Sequence, residues 1–163
     1  ELGGQTFFDF LPGALKGFGV QANVTYLDGK NRYPAALSAT GATPADPPLV
    51  NIPNVSKWTY NAALFYERGG ITSRLSYNDR SPYVTGSFID ANGVYVGEGV
   101  RRTVRLDYSL SWNPIPEVTL TLDATNLLAK PFRSYYQYGA DRIYARDIRE
   151  EGRYFGLGSR FRF

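Results

Sequence analysis

Alternation between apolar and polar residues is the strongest pattern in the chain, and it is most regular in residues 153–163. One parity of this stretch holds Phe155, Leu157, Phe161 and Phe163. The other parity holds Tyr154, Gly156, Gly158, Arg160 and Arg162. Because successive side chains of a β-strand point to opposite faces, this period of two predicts a strand with one apolar and one polar face.

Six earlier segments alternate in the same way, so the sequence predicts seven strands in all. Their predicted bounds are residues 5–11, 17–27, 56–68, 71–80, 100–112, 117–127 and 153–163. Five leucines are predicted to share the apolar face of the sheet: Leu64, Leu106, Leu120, Leu122 and Leu157. Phe65 is the exception, because its position places an aromatic ring on the polar face.

The connections between these strands alternate between short and long. Short turns are predicted at 12–16, 69–70 and 113–116, and long loops at about 28–53, 81–99 and 128–152. Transmembrane β-barrels of the bacterial outer membrane show this asymmetry, with short periplasmic turns and long extracellular loops. Strands of roughly 10 to 13 residues also suit a tilted membrane crossing. The sequence therefore predicts an antiparallel transmembrane β-barrel segment, and a soluble antiparallel sandwich is the alternative.

Composition narrows the functional classes. The mean hydropathy of −0.31 is compatible with a barrel, because a polar lumen and polar loops offset the lipid-facing residues. The chain has no histidine, so it cannot contain a Ser-His or Asp-His catalytic arrangement, and we do not expect an enzyme. It has no cysteine, which excludes disulfides and thiolate metal sites. A net charge of +3 does not call for a nucleic-acid partner, and no cofactor is predicted.

Three stretches resemble the barrels of TonB-dependent outer-membrane receptors. Residues 11–26 resemble a hairpin late in those barrels, residues 120–128 resemble the penultimate strand, and residues 152–163 resemble the closing strand. The ending also resembles the assembly signal of outer-membrane proteins, with Gly158, Phe161 and Phe163 in its glycine and aromatic positions. Gly156 departs from that signal, which usually begins with a polar residue.

The resemblance implies a barrel of twenty-two strands that encloses an N-terminal plug domain. Residues 1–163 would be its last seven strands, without the plug or the TonB box, and we expect a longer exported precursor. The implied function is active import of a scarce solute, such as a ferric siderophore or a carbohydrate, across the bacterial outer membrane. The implied partners are outer-membrane lipid, the plug, the TonB complex and the barrel-assembly machinery. A complete small barrel with an adhesin or structural role is the alternative.

Two groups of residues are candidates for functional contacts. Charges on the polar parity are predicted to form a lumen-wall network: Arg74, Arg105, Asp107, Asp123, Arg160 and Arg162. The third long loop carries tyrosines and arginines that could stack on, or pair with, a solute: Tyr135, Tyr136, Tyr138, Arg142, Tyr144 and Arg146. The alternative for this loop is a solvated segment packed on its neighbours. No metal site is predicted, since Asp28, Asp90 and Asn92 lack the spacing of a calcium loop.

Overall fold

The computed structural model describes residues 1–32, 49–92, 94–138 and 142–163, and within them the chain is mostly β-structure. Its strands, in chain order, are β1 (Leu2–Phe7), β2 (Phe18–Tyr26), β3 (Lys30–Arg32), β4 (Leu49–Asn51), β5 (Trp58–Arg68), β6 (Ile71–Arg80), β7 (Tyr83–Ile89), β8 (Tyr95–Val100), β9 (Thr103–Ile115), β10 (Val118–Thr125), β11 (Phe132–Tyr138), β12 (Arg142–Arg149) and β13 (Tyr154–Phe161). A short 3-10 helix, Gly13–Gly17, links β1 to β2. Among the described residues, no helix has the length and hydrophobicity that a membrane crossing requires.

Seven strands form one antiparallel sheet in the order β1-β2-β5-β6-β9-β10-β13. Each of the seven predicted segments contributes one strand to this sheet, so the prediction of an all-β antiparallel fold is confirmed. Neighbouring strands of this sheet also follow one another along the chain, once the strand pairs within the long connections (β3–β4, β7–β8 and β11–β12) are left aside. The sheet is therefore a meander of hairpins, which is the arrangement that short turns between neighbouring strands favour.

The register places the predicted apolar parity on a single face, which we call the apolar face. Leu64 lies opposite Leu75, and Leu122 lies opposite both Leu110 and Leu157. The other face, which we call the polar face, carries rows of hydrophilic residues across the same strands: Gln21, Asn23, Asn61, Arg74, Asn78, Ser109, Ser111 and Thr121. The period of two therefore holds in three dimensions from β2 to β13.

The first strand differs from its predicted bounds of residues 5–11. It pairs with β2 from Leu2 to Phe7, and the chain then turns, with the Leu11 amide donating to the Phe8 carbonyl oxygen at 2.9 Å. Phe10, which continues the alternation in sequence, lies beyond the strand and is exposed. Alternation alone placed this strand too late, because it does not reveal where a turn interrupts the pairing.

The prediction of loops at 81–99 and 128–152 is wrong. These connections contain the hairpins β7–β8 and β11–β12, which join through β8 and β11 into a second antiparallel sheet of order β12-β11-β8-β7. Aliphatic residues such as Val96 and Ile148 are interspersed on both faces of this second sheet with charged, polar and glycine residues, so its strands lack the regular apolar alternation from which strands were predicted. The remaining long connection contains the short pair β3–β4, and its residues 33–48 lie outside the described part.

Little of the apolar face is covered by protein. Five hydrophobic residues of the described part are buried: Ala63, Phe65, Val96, Val100 and Ala124. Two of these are on the polar face and two are in the second sheet, which leaves only Ala124 on the apolar face. By contrast, Leu64 is 45% exposed and Leu157 is 87% exposed. The apolar side chains of the seven-stranded sheet thus point away from the protein and not into a core.

Phe65, the aromatic exception on the polar face, is packed against its neighbours. Its ring meets that of Phe7 edge-on, with centroids 5.0 Å apart, and it covers Gly19 directly across the register. A Cβ atom at Gly19 would lie 2.4 Å from the Phe65 ring, so only glycine leaves room there. This small apolar contact explains why one large ring is tolerated among polar side chains.

The seven-stranded sheet is open. Strands β1 and β13 are its two edges, and within the described residues neither pairs with a second neighbour. Each edge therefore presents a row of backbone N–H and C=O groups that can pair with a further strand.

Candidate functional site

The third long connection places its predicted contact residues on β11 and β12, and the two strands divide them between opposite faces of the second sheet. Tyr136 lies opposite Tyr144, and Tyr138 lies opposite Arg142. Tyr135 lies on the other face, because adjacent residues of a strand alternate in direction. The predicted contact residues therefore lie on two faces of the second sheet and do not form a single site.

Four aromatic rings form what we call the aromatic cluster: Phe88, Tyr136, Tyr138 and Tyr144. Tyr138 meets Tyr144 edge-on, with centroids 5.6 Å apart, and Phe88 meets Tyr136 edge-on at 5.9 Å. Tyr144 is 54% exposed, so the cluster presents ring surface and a phenol hydroxyl to its surroundings. Edge-to-face packing holds such rings in fixed orientations, and rigid tyrosines suit ligand binding because little entropy is lost.

A charged pair borders the aromatic cluster. Arg146 Nη1 donates to Glu98 Oε2 at 2.9 Å, and the guanidinium carbon lies 5.2 Å from the centre of the Tyr136 ring. Glu98 and Arg146 also line a cleft of about 350 Å³ on this face, together with Phe132, Asp147 and Arg149. The arrangement combines ring faces, an arginine and a carboxylate, which can stack on a sugar ring or pair with an anionic ligand.

Tyr135 belongs to a different environment. The guanidinium of Arg101 lies over its ring, with 4.9 Å between the guanidinium carbon and the ring centre. The ring also packs over Gly99 of β8. The sequence analysis grouped Tyr135 with Tyr136 because they are adjacent, but the side chains of adjacent residues in a strand point to opposite faces of the sheet. Phe88 and Glu98 were missed because they come from the second long connection, and the pairing of β8 with β11 has no short-range sequence signal.

The predicted lumen-wall charges lie on the polar face, and several have hydrogen-bond partners there. Arg74 Nη2 donates to Gln21 Oε1 at 2.8 Å, beside the hydrogen bond of 2.8 Å between Asn61 and Asn23. Arg105 forms an ion pair with Glu151. The Asn61–Asn23 bond joins the neighbouring strands β5 and β2, the Arg74–Gln21 bond reaches from β6 across β5 to β2, and the Arg105–Glu151 pair joins β9 to the segment before β13.

The remaining charges of that set lie further along the polar face. Asp123 is opposite Ser109, whereas Asp107 is opposite Ser76, one row away. The Asp107 carboxylate accepts a hydrogen bond of 2.8 Å from the backbone amide of Asn126, so this carboxylate has a structural partner. Arg160, on the edge strand, is opposite Thr119, and the amide of Arg162 donates to the Glu117 carbonyl oxygen at 2.9 Å.

Asn126 was not identified as a site residue from the sequence, although its side chain forms three hydrogen bonds directly after β10. It is 2% exposed and has a φ of 54°. Its Nδ2 donates to the Gly152 carbonyl oxygen at 2.7 Å, and its Oδ1 accepts from the Lys130 amide at 3.2 Å. A signal was present, since asparagine directly after a strand tolerates the left-handed conformation better than most residues.

The proposed assembly-signal residues lie on and beyond the edge strand β13. Gly158 is opposite Thr121, and a Cβ atom there would be 2.5 Å from the Thr121 hydroxyl. Phe161 is opposite Val118 and is 58% exposed, and Phe163 is fully exposed. These positions leave the terminal aromatic rings accessible, and their recognition by assembly machinery stays a prediction.

Asp28, which was considered from the sequence as a weak calcium ligand, lies just after β2. Its carboxylate accepts hydrogen bonds from Lys57 Nζ and from the Tyr26 hydroxyl, both at 3.2 Å. The Lys57 hydrogen bond is the main cause that lowers the pKa of Asp28, and Tyr26 contributes further. Within the described residues, no group of three or more His, Cys, Asp or Glu side chains is positioned to hold a metal ion.

Comparison with known proteins adds no relative to this picture. A scan against protein-family models and searches of curated proteins and of solved structures found no match to this chain.

Proposed function

We propose that the chain is a segment of a transmembrane β-barrel in the bacterial outer membrane, and that this barrel belongs to a TonB-dependent receptor that imports a scarce solute. The observation that carries the proposal is the uncovered apolar face. A soluble sandwich would bury that face against a second layer, whereas here the second sheet extends one end of the seven-stranded sheet and leaves rows of leucines exposed. A hydrocarbon environment accounts for such a face.

Aromatic rings near both ends of the apolar face support the same placement. The rings of Tyr26 and Trp58 are in contact near the long connections, with centroids 4.6 Å apart. Those of Phe18 and Tyr66 are in contact near the short turns, with centroids 4.8 Å apart. Trp58 and Tyr66 are the ends of one face of β5, and eight residues of strand span about 26 Å. A strand tilt of about 35–45° reduces this height to about 18–21 Å, which fits within an apolar band roughly 25 Å tall between two aromatic girdles.

The polar face and the open edges support membership in a larger barrel. Asn23, Asn61 and Arg74 line a groove of about 220 Å³ on the polar face, which suits a water-filled or plugged lumen. Strands β1 and β13 each have an unpaired edge, which would be costly in hydrocarbon because no water is present to satisfy the backbone. Further strands of a larger barrel would satisfy both edges, and a plug would pack against the polar face.

The solute would meet the second sheet, which extends beyond the membrane-spanning strands on the side of the long connections. The aromatic cluster, with the Arg146–Glu98 pair, offers stacking surfaces and charge within one hydrogen-bonded sheet. These groups suit a carbohydrate or the catecholate and carboxylate groups of a ferric siderophore. We assign the first contact of the solute to this face of the second sheet.

The decisive test compares two neighbouring residues on opposite faces of β10. Leu122→Arg places a charge on the apolar face and should destabilise the lipid-folded protein by about 2–4 kcal/mol. Thr121→Arg places the same charge on the polar face, opposite Gly158, and should be considerably milder. The measurement is a denaturant titration of the full-length protein folded into phospholipid vesicles. Equal losses at the two positions would contradict the membrane placement.

A further inference from the structure

A second cleft, of about 750 Å³, opens where the second sheet leaves the seven-stranded sheet. We call it the basic cleft, because four cationic residues line it: Arg101, Arg102, Lys130 and Arg133. Its apolar lining includes Val104 and Ile148, and among the described residues no carboxylate lines it. It is separate from the aromatic cluster, since Arg133 and Tyr135 lie on the opposite face of β11 from Tyr136.

The cationic groups of the basic cleft are held in place by neighbouring residues. Arg102 Nε donates to Asp79 Oδ1 at 2.8 Å, and the Tyr77 hydroxyl donates to the same carboxylate at 3.2 Å. The Asp79 side chain is only 8% exposed, whereas that of Arg102 is 62% exposed. Asp79 thus fixes the guanidinium from behind while much of its surface stays open to the cleft.

The other cations have their own supports. Arg101 is stacked on Tyr135, and its amide donates to the Arg133 carbonyl oxygen at 2.9 Å, which couples the two arginines through their backbones. The backbone of Lys130 is bonded to the Asn126 side chain. Asp79 balances one positive charge of the four, so the cleft has an excess of about three. Fixed arginines with unbalanced charge favour a phosphate, whose oxygens match the guanidinium fork.

The position of the basic cleft relative to the membrane-facing surface indicates which phosphate it would hold. Val104 lies opposite Asp79 on the apolar face, and Arg102 donates to the Asp79 carboxylate, so both residues lie on that side of the sheet. The same outer end of the apolar face carries Trp58 and Tyr60, whose rings are stacked with centroids 5.8 Å apart. A molecule bound here could place a phosphate in the cleft and an acyl chain along the leucine rows.

We propose that the basic cleft binds the phosphate group of a phosphorylated lipid of the outer leaflet. This inference rests on the proposed membrane placement, because the lipid must lie against the apolar face. Binding such a lipid would anchor the second sheet at a fixed height above the membrane. It would also relieve repulsion among the arginines that line the cleft.

The test removes charge from the basic cleft without disturbing the Arg102–Asp79 pair. The double variant Lys130→Gln/Arg133→Gln is compared with Lys57→Gln/Arg153→Gln, which removes one lysine and one arginine from outside both clefts. Native mass spectrometry of the full-length protein in detergent is used to titrate a diphosphorylated lipid A and its fully dephosphorylated form. We expect binding of the phosphorylated lipid to weaken at least tenfold in the cleft variant and to change little in the control.

Three outcomes would overturn the proposal. They are equal affinity in the cleft variant and the control, equal affinity for the two lipids, and complete competition by millimolar inorganic phosphate, which would indicate a site for a free anion. Heat-modifiable electrophoretic mobility of each variant verifies folding, and the single variant Arg133→Gln replaces the double one if that fails to fold. The comparison of Leu122→Arg with Thr121→Arg tests membrane placement separately, so failure of the cleft alone is distinguishable from failure of the proposed function.

Discussion

At the scale of single residues, Asn126 links three parts of the molecule. Its backbone amide donates to Asp107 on β9, and its side chain bonds to Lys130, before β11, and to Gly152, before β13. The residue has a left-handed backbone and is almost completely buried. Buried carbonyl groups that lose a donor cost roughly 1–3 kcal/mol each. The side chain and the backbone of Asn126 should therefore make separable contributions to stability.

Two substitutions separate these contributions. Asn126→Gly keeps the positive φ accessible but removes the side-chain hydrogen bonds, and it should lower the free energy of unfolding by roughly 1–3 kcal/mol. Asn126→Ala removes the same bonds and adds the penalty of a left-handed backbone, about 1 kcal/mol more. Urea titrations of the lipid-folded full-length protein provide the measurement. If alanine were as stable as glycine at this position, the backbone conformation would not contribute.

At the scale of elements, the sequence predicted some parts and not others for a physical reason. The strands of the seven-stranded sheet were predictable because one face is apolar throughout, which imposes the period of two. The strands β7, β8, β11 and β12 were missed because neither face of their sheet meets a continuous apolar environment. Their pairing depends instead on close approach, as at Gly99, where a Cβ atom would lie 2.5 Å from the Tyr135 ring.

The candidate site was predicted in part for the same reason. Tyr136, Tyr138, Tyr144 and Arg146 do lie together, as their residue types suggested. Their partners Phe88 and Glu98 come from a connection more than thirty residues earlier in the chain. Such a contact is set by the tertiary pairing of β8 with β11, and no local pattern encodes it.

The two faces of the second sheet yield a prediction for solute binding. Replacing Tyr136, Tyr138, Arg142 and Arg146 with alanine removes the rings and charges of one face, and each true anchor should cost roughly 1–2 kcal/mol, about tenfold in affinity. Tyr135→Ala is the control, because that ring is on the same strand but faces the basic cleft. Equilibrium binding of solute to the full-length protein, with surface abundance matched, provides the measurement. Unchanged affinity in the quadruple variant would exclude this face as the solute site.

At the scale of the whole molecule, the distribution of burial is the reverse of that in a soluble protein. Apolar side chains are exposed on one face of the large sheet, while a buried phenylalanine, Phe65, lies on the polar face. In water, this sheet would be unstable as a single layer, because burial of apolar area is the main favourable term in folding. In a bilayer, the same residues need no second layer of protein, and the polar face is free to line a lumen.

The two tryptophans of the chain can report on this arrangement directly. Trp58 and Trp112 lie near opposite ends of the apolar face and are 39% and 44% exposed. If both lie at bilayer interfaces, lipids brominated near the headgroup should quench their fluorescence more than lipids brominated at the ends of the acyl chains. The quenching of each tryptophan is obtained as the difference in quenched fluorescence between the wild-type full-length protein and its Trp58→Phe or Trp112→Phe variant. Absence of quenching, or stronger quenching from the bilayer centre, would contradict a barrel wall with aromatic rings at both of its rims.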